Sequence, residues 1–233
     1  PNIETSIAAA RTMAQAGVDI VELGLPYTDP VLDGPVIQQA AEQALAQGVR
    51  TRDIFGAVES IADTGAAVLV MSYYNPILRY GVDSFARDLA SSGGAGLITP
   101  DLVPDEGAEW ITASDAHDLD RVFLVAPSST PERLALTSAA SRGFVYAASV
   151  MGVTGTRTSV GDAAERLVRD TREAGATNVC VGLGVSTPEQ AAEIARYADG
   201  VIVGSALVRA LGPEGDLRAL EKTVAALAQA VGK

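Results

Sequence analysis

One glutamate stands inside an apolar run, and its position is the first in the 233-residue chain that asks for chemistry. In Val18-Asp19-Ile20-Val21-Glu22-Leu23-Gly24, strand alternation puts Ile20 and Glu22 on one face and Val21 and Leu23 on the other. A carboxyl group on the inner face of a sheet is short of water, which lifts its pKa toward the range a general acid needs near neutrality. A glutamate hydrogen-bonded to a neighbouring strand is the structural alternative, but charged groups are rarely buried without a role. Directly after this run comes Leu25-Pro26-Tyr27-Thr28-Asp29-Pro30-Val31-Leu32-Asp33-Gly34-Pro35, stiffened by three prolines and presenting two aspartates. Asp29 before Pro30 fits a turn or cap. Asp33 fits a helix N-cap as well as a second catalytic carboxylate, and spacing alone leaves both open.

Three glycine-bearing turns form a second group. Gly152-Val153-Thr154-Gly155, Gly182-Leu183-Gly184-Val185-Ser186 and Gly204-Ser205-Ala206 follow three successive late apolar runs. Each alone is an ordinary turn; together, with helix starts near Thr187 and Ser205, they suit backbone amides that cradle a phosphate. An amide cradle also answers a charge problem, because the net charge is −12 and the only lysines are Lys222 and Lys233.

The same scarcity excludes whole classes. With no lysine at a strand end, Schiff-base aldolase chemistry and pyridoxal phosphate attachment are excluded, and no cofactor is expected in this chain. One histidine, His117, and one cysteine, Cys180, cannot build a zinc site, so no metal is expected. The acidic balance does not suit nucleic acid. No apolar run is long enough for a membrane span and no leader-like segment opens the sequence, so a cytoplasmic protein is expected. Cys180, within Asn178-Val179-Cys180-Val181, reads as a buried strand residue. What remains is carboxylate acid–base chemistry on a phosphorylated substrate.

Elements that would position these groups alternate along the chain. Apolar runs at Ile20-Val21-Glu22-Leu23-Gly24, Ala67-Val68-Leu69-Val70-Met71, Ala95-Gly96-Leu97-Ile98, Val122-Phe123-Leu124-Val125, Gly143-Phe144-Val145-Tyr146, Asn178-Val179-Cys180-Val181 and Gly200-Val201-Ile202-Val203 read as buried parallel strands. Amphipathic Ala-, Glu- and Arg-rich stretches lie between them. No linker divides the chain, so one α/β domain over 1–233 is expected. An open doubly wound sheet competes, but no GxGxxG follows the first strand. The expected fold is a TIM (β/α)8 barrel with its first strand missing, since the chain opens at Pro1-Asn2-Ile3-Glu4, already at a helix start. In such barrels the chemistry sits past the C-terminal ends of the strands. The polar, glycine-bearing stretch 150–161 reads as a lid over that end or as an ordinary surface loop.

Several of these segments together resemble the tryptophan synthase alpha subunit family. The first signature is Val21-Glu22-Leu23-Gly24-Leu25-Pro26-Tyr27-Thr28-Asp29-Pro30, continuing through Leu32-Asp33-Gly34-Pro35-Val36-Ile37-Gln38. Met71-Ser72-Tyr73-Tyr74-Asn75-Pro76, Pro100-Asp101-Leu102-Val103-Pro104-Asp105-Glu106 and the three glycine turns match in order along the chain. The resemblance implies cleavage of indole-3-glycerol phosphate to indole and glyceraldehyde 3-phosphate, with Glu22 as general acid and base and Asp33 as second carboxylate. It implies that Tyr146 lines the site, that Gly155, Gly184, Gly204 and Ser205 hold the phosphate, and that Thr154 meets Asp33 on closure. It makes Asp29 the secondary candidate. Phe144 and Leu183 stand where many members carry tyrosine and phenylalanine. The implied partner is a beta subunit that holds pyridoxal phosphate, in an α2β2 tetramer, docked on 26–35 and 74–80. A two-aspartate sugar-phosphate isomerase and a non-catalytic binding module are the competing readings.

Overall fold

Branched apolar runs form the strands: β1 (Ile20–Gly24), β2 (Ala67–Met71), β3 (Gly96–Ile98), β4 (Asp120–Val122), β5 (Leu124–Val125), β6 (Val145–Ala148), β7 (Val179–Gly182) and β8 (Gly200–Val201). This is a computed structural model, and it describes residues 2–148, 158–182 and 184–232. The intervening stretches are helical: α1 (Ile3–Gln15), α2 (Pro35–Ala46), α3 (Asp53–Ala62), α4 (Tyr74–Tyr80), α5 (Val82–Ser91) and α6 (Ala108–Ala116) in the first half. In the second half they are α7 (Pro131–Ala140), α8 (Thr158–Glu173), α9 (Pro188–Ile194), α10 (Ser205–Leu211) and α11 (Leu217–Ala230). Helix boundaries follow local chemistry. The Asn2 side chain caps α1 by accepting from the Thr5 amide at 2.8 Å, and Gly17, at φ +107°, turns the chain out of it. Thr187 and Gln190 form a reciprocal capping box at the start of α9.

Every strand pair is parallel, in the order β1-β2-β3-β4 and β5-β6-β7-β8. The sequence run at 122–125 is split, because the ladder changes hands at Phe123. The Tyr146 amide donates to the Phe123 carbonyl at 3.0 Å, and the Thr99 amide donates to the Val122 carbonyl at 3.3 Å. Chain and ladder therefore continue from one half to the other. The fold is an α/β barrel of parallel strands, as the alternation predicts. Its remaining seam lies between β8 and β1, which share no ladder among the described residues. A cleft of about 390 Å³ runs along that seam, walled by Ile20, Glu22, Val201 and Val203 and by Val224 and Leu227 of α11.

Paired residues of a parallel ladder share a face, so the register sorts inside from outside. Glu22 pairs with Leu69, Leu69 with Gly96, and Met71 with Ile98, which pairs with Val122. On the other half Leu124 pairs with Tyr146, Tyr146 with Cys180, and Cys180 with Gly200. Leu69, Ile98, Val122, Phe144, Tyr146 and Cys180 pack together as the barrel interior. The opposite faces carry Val21, Val68, Val70 and Leu97, buried with Ile61, Phe85, Leu89 and Trp110 from the helices. Most of the apolar burial thus lies between strands and helices, and the interior holds a smaller apolar cluster on the face that Glu22 shares. Leu97→Ala, deep in that outer layer, should cost about 2–5 kcal/mol of unfolding free energy while sparing the site; urea denaturation with a turnover assay checks both.

Candidate active site

Glu22 projects from the middle of β1 on the interior face, the face its alternation predicts. It keeps partial exposure toward the seam cleft, yet desolvation pushes its carboxyl up to about 7. Such a group is protonated for a large part of the time near neutrality, as a general acid must be. Tyr146 is buried beside it: burial drives the phenol well above its ordinary value, and the negative charge of Glu22 adds to the effect. The Cys180 thiol, on the same interior face, is pushed up to about 12 by burial. It is therefore a neutral wall rather than a nucleophile.

Asp33 ends the stiff loop after β1 and is half-buried. Its competing role as a helix cap does not hold, because Gly34 is the N-cap of α2 and receives no side-chain bond. Instead its carboxylate oxygen accepts the Tyr73 hydroxyl at 3.2 Å, while its backbone carbonyl accepts the Gln38 side-chain amide at 2.8 Å. Desolvation raises its pKa, and the tyrosine hydrogen bond works against that rise. The two carboxyl groups thus have different environments, one sunk in the interior and one served by a donor. Asp29 is exposed and takes the Thr28 hydroxyl at 2.5 Å, the turn role that Pro30 suggests.

Gly184 and Gly204 follow β7 and β8 and are exposed at the same end of the barrel as Glu22's loop. Gly184 has φ +93°, a backbone that favours glycine, and Gly204 is the N-cap of α10, which begins at Ser205. Thr154, Gly155, Leu183 and residues 150–157 of the stretch expected as a lid or a surface loop lie outside the described residues, and 158–161 of that stretch begin α8. Among the described residues no group of three His, Cys, Asp or Glu side chains is arranged to hold a metal ion.

Two residues were not singled out from sequence. Tyr73, the first aromatic past β2, touches Asp33; the rule that polar residues just past a strand carry chemistry reaches it. Gly182 ends β7 against the Tyr146 ring, where a β-carbon would lie 2.3 Å from the hydroxyl oxygen and 2.6 Å from Cζ. That closeness has no local sequence signal. The end of the barrel that bears these groups also carries exposed apolar side chains, Val31 (78%), Leu32 (53%), Leu78 and Val103, on the segments after β1, β2 and β3.

Gly182→Ala should push the Tyr146 ring out of place and lower turnover, and a smaller residue at 146 in the same chain should return part of it; steady-state kinetics on the parent and the two variants checks this. Glu22 also carries a stability cost of known sign. Its folded pKa, about 7, exceeds the ordinary 4.5, so the stability it permits is present below 4.5 and is lost as pH rises through 7. Glu22→Gln should therefore resist urea better than the parent at pH 8, the difference shrinking toward pH 5.

The family profile described as Tryptophan synthase alpha chain matches residues 1–232. A Tryptophan synthase alpha chain of Mycobacterium marinum is 62% identical over 228 residues, 97% of this chain and 84% of that one. The Mycobacterium tuberculosis protein of the same name is 59% identical over 228 residues, with 97% of this chain and 84% of its own covered. A solved structure of Mycobacterium tuberculosis tryptophan synthase superposes with TM-score 0.91 at 58% identity, covering 98% of this chain and 87% of that one. The alpha subunit of Legionella pneumophila superposes with TM-score 0.88 at 30% identity, covering 98% and 87%. A parallel barrel with a desolvated glutamate on β1, a tethered aspartate after it and glycine turns past β7 and β8 agrees with that likeness over the whole length, and the chain belongs to the tryptophan synthase alpha chain family.

Proposed function

We propose that this chain cleaves indole-3-glycerol phosphate to indole and glyceraldehyde 3-phosphate, with Glu22 as the acid and base and Asp33 as the charge-stabilising carboxylate. The observation that carries the reading is the Glu22 carboxyl, held near pKa 7 on the barrel's inner face. Protonated Glu22 delivers its proton to indole C3, making a cationic indolenine. Ionised Asp33 stabilises the positive charge through the indole N–H. Glu22, now a carboxylate, takes the proton of the side-chain hydroxyl next to C3. The carbon–carbon bond then breaks, its electrons restore the indole, and the hydroxyl carbon becomes the aldehyde of glyceraldehyde 3-phosphate. The ring is the electron sink, so the step draws on no lysine in a chain whose lysines stand only at 222 and 233.

In this reading Tyr146 closes the wall beside Glu22, and Gly155, Gly184, Gly204 and Ser205 give backbone amides to the phosphate. Thr154 meets Asp33 when the site closes. The exposed apolar residues Val31, Leu32 and Leu78 support docking of a beta subunit on 26–35 and 74–80. That subunit, not this chain, holds pyridoxal phosphate and takes up the indole. One barrel domain over 1–233 in the cytoplasm completes the proposal; among the described residues no helix is long and apolar enough to cross a membrane.

Glu22→Gln and Asp33→Asn should each fold and each lose activity, by roughly 10²–10⁴-fold in indole release for the proton-transfer group and roughly 10²–10³-fold for the charge stabiliser. In the parent chain, release should fall as pH rises through about 7, where Glu22 loses its proton. Full activity in Glu22→Gln would falsify the assignment, and isomerisation of a sugar phosphate without indole release would favour the two-aspartate alternative.

A further inference from the structure

The Tyr73 hydroxyl is engaged with three separate groups at the barrel mouth. Tyr73 stands two residues past the end of β2, buried, with its ring tilted against that of Tyr27 at 5.4 Å between centroids. Its oxygen accepts the backbone amides of Val31 at 3.0 Å and Leu32 at 2.8 Å, and it donates to Asp33 Oδ1 at 3.2 Å. A phenol has one proton to give and two lone pairs to fill. With both lone pairs taken by amides, the proton is left for the carboxylate, and it is best accepted when Asp33 is ionised.

We propose that Tyr73 is a positioning residue for the reaction, whose hydroxyl pins the turn at Val31 and Leu32 and holds Asp33 in place in its charged form. The inference rests on the reading of Asp33 as the second carboxylate. Nearby titratable groups are engaged elsewhere: Tyr27 accepts the Asn75 side chain, Asp29 takes the Thr28 hydroxyl, and Asp101 receives the Tyr74 amide. Burial raises the Asp33 carboxyl and the Tyr73 bond lowers it, so removing the bond alone leaves the rise unopposed.

The test is the pH profile of kcat for indole release, because every variant shares the substrate and its phosphate titration. Tyr73→Phe keeps the ring on Tyr27 and deletes the hydroxyl. Its kcat should fall roughly tenfold to a hundredfold, the range for a lost hydrogen bond to a charged group, and its acid limb should move to higher pH. Tyr197→Phe is the control: it deletes a hydroxyl on a ring packed with the cluster of Val179 and Ile194, away from Asp33, and should leave the acid limb where it is. Fluorotyrosine placed at 73, a stronger donor that keeps the hydroxyl, should move the limb to lower pH and covers the case in which Tyr73→Phe does not fold. Loss of stability in Tyr73→Phe with an unmoved acid limb, or an unmoved limb with fluorotyrosine, overturns the proposal. Undiminished cleavage in Asp33→Asn would instead sink the reading of Asp33 beneath it.

Discussion

A carboxyl group placed where water only partly reaches it must spend much of its time neutral, and the mouth of this barrel is arranged around that condition. Glu22 meets it by position alone: the middle of β1, the interior face, and Tyr146 beside it. Two carboxyl groups in one environment would titrate together and be of little use as an acid and a charge-bearing base. The chain separates them by giving each a different support. Glu22 belongs to a strand and is governed by desolvation. Asp33 belongs to a loop, where desolvation raises it too but the Tyr73 hydroxyl on its side chain opposes that rise, and Gln38 holds its backbone carbonyl.

What could be read ahead of the structure was whatever depends on near neighbours in sequence. Strand alternation alone put Glu22 on the inner face, because side-chain direction along a strand has a period of two. The seven apolar runs became the strands, and the one that differed, at 122–125, was divided by a change of ladder partner that no composition encodes. Asp33 could not be assigned from spacing because a cap and a catalytic carboxylate share the same local pattern. The hydroxyl that engages its side chain, that of Tyr73, lies 40 residues away. Gly182 is a similar case: its need for hydrogen in place of a side chain arises from a ring on β6.

Charge poses a separate constraint. A chain of net charge −12 that acts on a phosphate ester gains nothing from its overall field. In the proposed reading, backbone amides answer this without added positive charge, and glycine lets them come close. Arginine is used instead for structure, as where Arg121 joins the Ala140 carbonyl to Asp115 and Arg172 joins the Tyr197 carbonyl to Asp199.

On β6, β7 and β8 the barrel wall is built from large and small residues set against one another. Tyr146 leans on Gly182, and Cys180 leans on Gly200, where a β-carbon would come within 2.6 Å of its sulfur. Neither member of such a pair can change size alone, since enlarging the glycine collides and shrinking its neighbour opens a void. The shape of this wall, and of the pocket proposed beside it, is therefore poorly reached by single substitutions and better reached by compensating ones. Over evolutionary time, or in a directed library, new pocket shapes should arise as linked changes on adjacent strands, and the traces of that history would be covariation between positions 146 and 182 and between 180 and 200.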